Sequence, residues 1–284
     1  MNITQSLYRK ETKKILVIFL AFFSLPIVAQ TAYEQLSAQA LQYAEKDSLE
    51  QAEELYRQVL KSEPANPHNA LIFSNIGTLQ RRMQRFSEAL ESYTYALNIA
   101  PYSVSILLNR ATVYMEQGLL DRAYIDYCQV LDIDKKNTEA LLMRAYIYMT
   151  RRDYKAARID YNRLLEIDTQ HYNARFGLAA LNQKEEKFRE SLDILEKLIG
   201  EYPAEVELYI TRAEVEHDMN LPDLALTDLD QAIDLNPLSA DAFILRGKIN
   251  LARNKKKLAR KDFEKAGSLG VPQSELREWL RQCR

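Results

Sequence analysis

The stretch TEALLMRAYIYMTRRDYKAARIDYNRLLEIDTQH, residues 138–171, decides the fold. Its apolar residues fall at helical spacing in two runs of about 13 residues, parted by the polar turn Arg151-Arg152-Asp153. Two helices joined by so short a turn must lie antiparallel and touch. Where their backbones come closest only small side chains fit, and Ala145 and Ala157 hold those places. Leu141 and Tyr161 beside them are large enough to fill the groove between the helices.

Working outward from this stretch, the pattern returns every 34 residues. Stepping back from Ala157 and Tyr161 meets Ala123 and Tyr127, then Ala89 and Tyr93. Stepping forward meets Ser191 and Leu195, Ala225 and Leu229, then Ala259 and Phe263. One more copy, marked by Ala52 and Tyr56, is set 37 residues before Ala89, the loop Pro67-His68-Asn69 supplying the excess. The seven copies begin at Tyr33, Ala70, Val104, Thr138, Tyr172, Val206 and Ala240. Position eight reads Ala40, Gly77, Ala111, Ala145, Ala179, Ala213 and Gly247, and position twenty is Ala or Ser in every copy. Pro64, Pro101, Pro203 and Pro237 stand at position thirty-two, where a residue unable to continue a helix ends the second one. The fifth copy departs most, with Arg175, Ser191 and Leu195 at positions four, twenty and twenty-four.

This pattern resembles the tetratricopeptide repeat, from Tyr33 to about Gly270. The resemblance implies an all-α chain, an α-solenoid with right-handed superhelical winding, built of seven helix-turn-helix units. The expected units are 33–69, 70–103, 104–137, 138–171, 172–205, 206–239 and 240–270. Residues 271–284 read as a capping helix, with Leu276, Trp279, Leu280 and Cys283 at one helical face.

Residues 1–30 are of another kind. Arg9, Lys10, Lys13 and Lys14 precede an apolar run from Ile15 to Val28, followed by Ala29, Gln30, Thr31 and Ala32. That order is expected of a secretory signal peptide, and the run is short for a membrane span. The expected location is therefore periplasmic or envelope-associated, with an uncleaved N-terminal anchor as the alternative. The segment carries +3 (four bases against Glu11), which leaves the remainder near −5 where the whole chain is −2. Nucleic acid is disfavoured as a partner on that balance.

The family lines its concave face with the first helix of each unit, so the resemblance points to a groove built from positions two, five, nine and twelve. Expected groove residues are Leu108, Met115, Leu142, Tyr146, Met149, Phe176, Ile210 and Ile244. They read either as an exposed apolar column for a peptide or protein partner, or as packing against neighbouring helices. The family's clamp for C-terminal carboxylates is missing, because Glu139, Glu207 and Asp241 occupy position two and no Lys occupies position five. A second regularity places Arg at position seven and Asp at position twenty-three, predicting structural ion pairs. They are Arg110 with Asp126, Arg144 with Asp160, Arg212 with Asp228 and Arg246 with Asp262, joined within one copy or between successive copies.

No catalytic constellation emerges. His68, His171 and His217 fall in different copies, away from metal-ligand spacing with a cysteine, and there is no phosphate-binding glycine loop. The expectation is a non-enzymatic scaffold without cofactor or metal, binding a protein or peptide. Two alternatives stand beside it. One is a self-associating structural subunit, in which Cys283 forms an intermolecular disulfide. The other is a module for membrane or polysaccharide that uses Arg253, Lys255, Lys256, Lys257, Arg260 and Lys261.

Overall fold

The computed structural model describes residues 31–284, so the N-terminal segment read as a signal peptide lies outside the described residues. These residues form fifteen α-helices and no strand. The first helices of the units are α1 (Ala32–Glu45), α3 (Asn69–Arg82), α5 (Val104–Glu116), α7 (Thr138–Thr150), α9 (Tyr172–Lys184), α11 (Val206–Asp218) and α13 (Ala240–Ala252). The second helices are α2 (Leu49–Ser62), α4 (Phe86–Ile99), α6 (Leu120–Ile133), α8 (Tyr154–Ile167), α10 (Phe188–Glu201), α12 (Pro222–Leu235) and α14 (Lys256–Ser268). A last helix, α15 (Gln273–Gln282), follows.

Two compact units divide this order, the first ending at Ile147 and the second beginning at Tyr148. In the first, α1 packs on α2, α3 on α4 and α5 on α6, and α2 also touches α3 as α4 touches α5. In the second, α9 packs on α10, α11 on α12 and α13 on α14 in the same way, and α15 closes on α14. First helices of successive repeats also meet, α3 with α5 and α11 with α13.

The turn inside each repeat has one recurring device. Position fifteen has φ between 58° and 69° in all seven copies: Asp47, Gln84, Gly118, Arg152, Glu186, Asn220 and Asn254. A left-handed residue there ends the first helix, and the next N–H turns back onto the carbonyl of position eleven, as Leu119 does on Tyr114 at 2.8 Å and Lys187 on Asn182 at 2.8 Å. Gly118 and, less freely, Asp47, Asn220 and Asn254 suit this conformation, but at Gln84, Arg152 and Glu186 the tight turn is held against steric preference. Between repeats, Asn66, Asp134, Asp168 and Asn236 accept through their side chains from the N–H two residues on. Those Asx turns launch the next first helix.

The small positions lie where the helices cross. Ala40, Ala111, Ala145, Ala179 and Ala213 at position eight are fully buried. A Cβ added at Gly247 would come within 2.7 Å of the Phe263 ring, and one added at Gly77 within 3.0 Å of the Tyr93 ring. Where position twenty-four is aromatic, the ring fills the crossing: Tyr93, Tyr127, Tyr161 and Phe263 are all under 2% exposed, and Leu195 and Leu229 take that place in the fifth and sixth repeats.

Both ends are closed, by different chemistry. On α3 the face toward the preceding repeat is Ile72, Ile76 and Leu79, all buried in one cluster with Tyr33, Ala40 and Tyr56. The same three positions on α1 are Gln35, Gln39 and Gln42, all exposed, which gives this end a polar face. At the other end α15 buries Leu276 and Cys283 against Phe263 and Ala266, and Trp279 stacks on Phe263 at 5.4 Å.

Candidate protein-interaction surface

The first helices carry the expected groove residues, and the structure separates them into two groups. Leu142, Phe176, Ile210 and Met115 are buried, Phe176 to 1%. Phe176 belongs to a core cluster with Ala179, Leu195, Leu198, Leu208 and Val215. The exposed apolar column is corrected on these four. Phe176 shares its cluster with Leu208 and Val215 of the following first helix, so it goes to packing. Leu108, Tyr146, Met149 and Ile244 remain half-buried and reach solvent. With exposed Leu41 and Tyr43 on α1 and exposed Leu71 on α3, they are among the apolar side chains of these helices that a partner can touch.

Polar ties link the C-terminal ends of successive first helices. Arg81 Nε donates to Glu116 Oε1 at 3.2 Å, joining α3 to α5. Gln183 Nε2 donates to Asp218 Oδ2 at 2.8 Å from the same two repeat positions, joining α9 to α11. Burial pushes the Glu116 carboxyl up, although Arg81 opposes this. Between the first and second repeats a larger network forms around Glu53. Burial raises the Glu53 carboxyl, yet hydrogen bonds from Arg57, Gln80 and Arg85 outweigh this and hold it below the ordinary range.

The Arg–Asp regularity has a defined geometry. Arg110 Nε and Nη2 donate to the two oxygens of Asp126 at 2.9 and 2.7 Å. Arg212 grips Asp228 at 2.6 and 2.7 Å, and Arg246 grips Asp262 at 3.2 and 2.7 Å. These bidentate pairs join the two helices of one repeat. The remaining amine often reaches the preceding repeat: Arg246 Nη1 donates to Asp230 at 2.7 Å and Arg110 Nη1 to Thr94 at 3.4 Å. One guanidinium therefore bolts three helices. The fourth pair, Arg144 and Asp160, has one member in each compact unit.

Sequence reasoning passed over the outer helices. Tyr95 on α4, Ile125 on α6 and Ile159 on α8 are about half exposed, and Tyr102 after α4 is 79% exposed. Period-breaking apolar residues at otherwise polar positions were the available signal. The cysteines are unpaired, and Cys283 is buried with its thiol pushed up by that burial, a poor setting for the intermolecular disulfide. His171 caps α9 through Nδ1. Among the described residues, no group of three or more His, Cys, Asp or Glu could hold a metal, and no helix is long and apolar enough to cross a membrane.

Comparison with known proteins agrees with this architecture. Tetratricopeptide repeat profiles match residues 37–103, 74–138, 138–171 and 210–268. A crystal structure of a tetratricopeptide repeat protein from Parabacteroides merdae ATCC 43184 is 34% identical, over 89% of this chain and 98% of that one, with a TM-score of 0.76. The protein MamA is 21% identical over 61% of this chain and 94% of its own, at a TM-score of 0.54. PilW, a type IV pilus biogenesis factor, is 18% identical over 75% and 96%, at 0.63. The search of curated proteins returns no match. With its helix pairs, its small crossing residues and these matches together, the chain belongs to the tetratricopeptide repeat family.

Proposed function

We propose that the chain is an exported scaffold that captures a protein partner on the lateral surface of its first helices. Membership of a family of protein-interaction scaffolds supports the general role, and such scaffolds are as a rule non-catalytic. The observation that carries the finer reading is the closure of both ends. A polar glutamine face at α1 and the added helix α15 offer no apolar end for another repeat to stack on. A partner then meets the sides of the array, where Leu71, Leu108, Met149 and Ile244 reach solvent. The envelope location rests on the basic and apolar segment before residue 31.

Two measurements test this. Co-purification from envelope fractions should recover a partner with the native chain and lose it with Leu108→Glu or Ile244→Glu, both folded by circular dichroism. Equal recovery by native chain and variants would remove the first helices from the interface. N-terminal sequencing of the purified protein should start close to residue 30, and an intact Met1 in a soluble cytoplasmic fraction would refute export.

A further inference from the structure

The last two helices carry a feature that the lateral surface does not use. From Arg253 to Arg284 the chain has ten Lys or Arg against four Asp or Glu, although its overall net charge is −2. The structure gathers part of this charge into one concavity. Gln273, Arg277, Leu280 and Arg281 lie on one face of α15 at helical spacing, Arg284 follows just past its end, and Arg260 and Glu264 lie one turn apart on α14. Together they line a depression of about 340 Å³. Four arginines and one glutamate thus line one small volume.

Their existing partners are weak competitors. Arg260 bonds Glu264 and Arg281 bonds Glu278, each within its own helix and each more than half exposed. Exposed pairs of this kind contribute little. Arg277 makes no ion pair among the described residues. Leu280, half-buried, adds an apolar surface beside the charges.

We propose that this depression binds the carboxylates of an acidic peptide segment on a protein partner. Arginine presents a planar fork that matches a carboxylate bidentately, and several forks around one hollow select closely spaced acids. A lipid surface is flat and is served by a spread of lysines, whereas this site is concave and wholly arginine among its cations. The proposal rests on the protein-interaction reading but uses a different surface, so the two fail separately.

The test is fluorescence anisotropy of labelled hexaglutamate with the whole chain at physiological ionic strength. Hexalysine and vesicles of phosphatidylglycerol with phosphatidylcholine run in parallel. Saturable hexaglutamate binding is expected, weakened at least tenfold by Arg277→Glu with Arg281→Glu. The double variant Lys155→Glu with Arg189→Glu, which changes net charge equally at exposed sites elsewhere, should bind within twofold of the native chain. Equal loss in both double variants would reduce the effect to diffuse electrostatics and overturn the site. So would absence of hexaglutamate binding, including the case where vesicles alone bind and lose binding with Arg277 and Arg281. Circular dichroism of both variants confirms that the fold is unchanged.

Discussion

The third and fifth repeats solve the same joint in opposite ways. In the third, Arg110 on α5 grips Asp126 on α6, and Asp126 is only 1% exposed. In the fifth, the equivalent positions are Leu178 and Ile194, both partly buried. There the crossing is held by Phe176, Leu195 and Leu198, all buried, and by the Ser191 hydroxyl donating to the Ala179 carbonyl at 2.8 Å. Its arginine, Arg175, stands at position four and pairs with the exposed Glu201 instead. A buried ion pair and an apolar contact are thus interchangeable as fasteners, but not in their response to mutation or pH. An apolar joint loses contacts gradually, whereas a charged joint that loses one partner strands the other in a low-dielectric site.

The largest break in this comparison is Arg110→Leu. It leaves Asp126 buried and unpaired, and should cost about 3 to 5 kcal/mol in urea unfolding. Adding Asp126→Ile copies the fifth repeat's solution and should restore most of that loss. A double variant no more stable than the single one would show that the two joints are not equivalent.

The charged joint of the sixth repeat carries a second expectation. Glu216 is buried beside Arg212 and Asp228, and its pKa is pushed up to about 7, chiefly by burial and then by the Asp228 charge. The folded state therefore holds a proton that the unfolded state releases near pH 4.5. Stability should fall as pH rises from about 4.5 to 7, and the loss is complete above the folded pKa. Glu216→Gln should remove this slope and raise stability by up to roughly 3 kcal/mol at pH 8, with no gain below pH 4. An unchanged slope would place Glu216 in water.

Smaller effects sharpen the apolar side. A Cβ at Gly177 in the fifth repeat would meet the Tyr161 ring at 2.5 Å, and that ring is fully buried. Gly177→Ala should cost about 1 to 3 kcal/mol by overpacking, although alanine is the better helix former. The two turns differ as well, since φ is +69° at Gly118 and +60° at Glu186. Glu186→Gly should gain roughly 1 kcal/mol, and Gly118→Ala should lose a similar amount. Thermal midpoints measure both, and a loss on Glu186→Gly would indicate that its side chain contributes more than its backbone costs.

Much of the repeat architecture was legible because its determinants are local and periodic. Small residues at positions eight and twenty, large ones beside them and a polar turn mark a helix pair wherever it occurs. The Arg–Asp spacing likewise identified three bidentate pairs whose members share a unit. Exposure of individual groove residues was not legible. Phe176 and Ile244 share repeat position five, yet one is 1% exposed and the other half-buried. Phe176 is clustered with Leu208 and Val215 of the next first helix, a neighbour that the sequence of a single helix face does not encode. Left-handed residues such as Arg152 and Glu186 were hidden for a related reason, because tertiary packing holds them against their own propensity. The polar N-terminal face was equally visible as Gln35, Gln39 and Gln42, but only comparison with Ile72, Ile76 and Leu79 reveals its meaning.

In the proposed function a partner is received on the sides of the first helices, not on the buried column. The most direct test is a photo-crosslinking residue placed in cells at Leu108 or at Ile244, with exposed Lys197 on α10 as the outer-face control. A discrete protein adduct from Leu108 and Ile244 and none from Lys197 is the predicted result. Adducts of equal yield at all three positions, or from Lys197 alone, would contradict it.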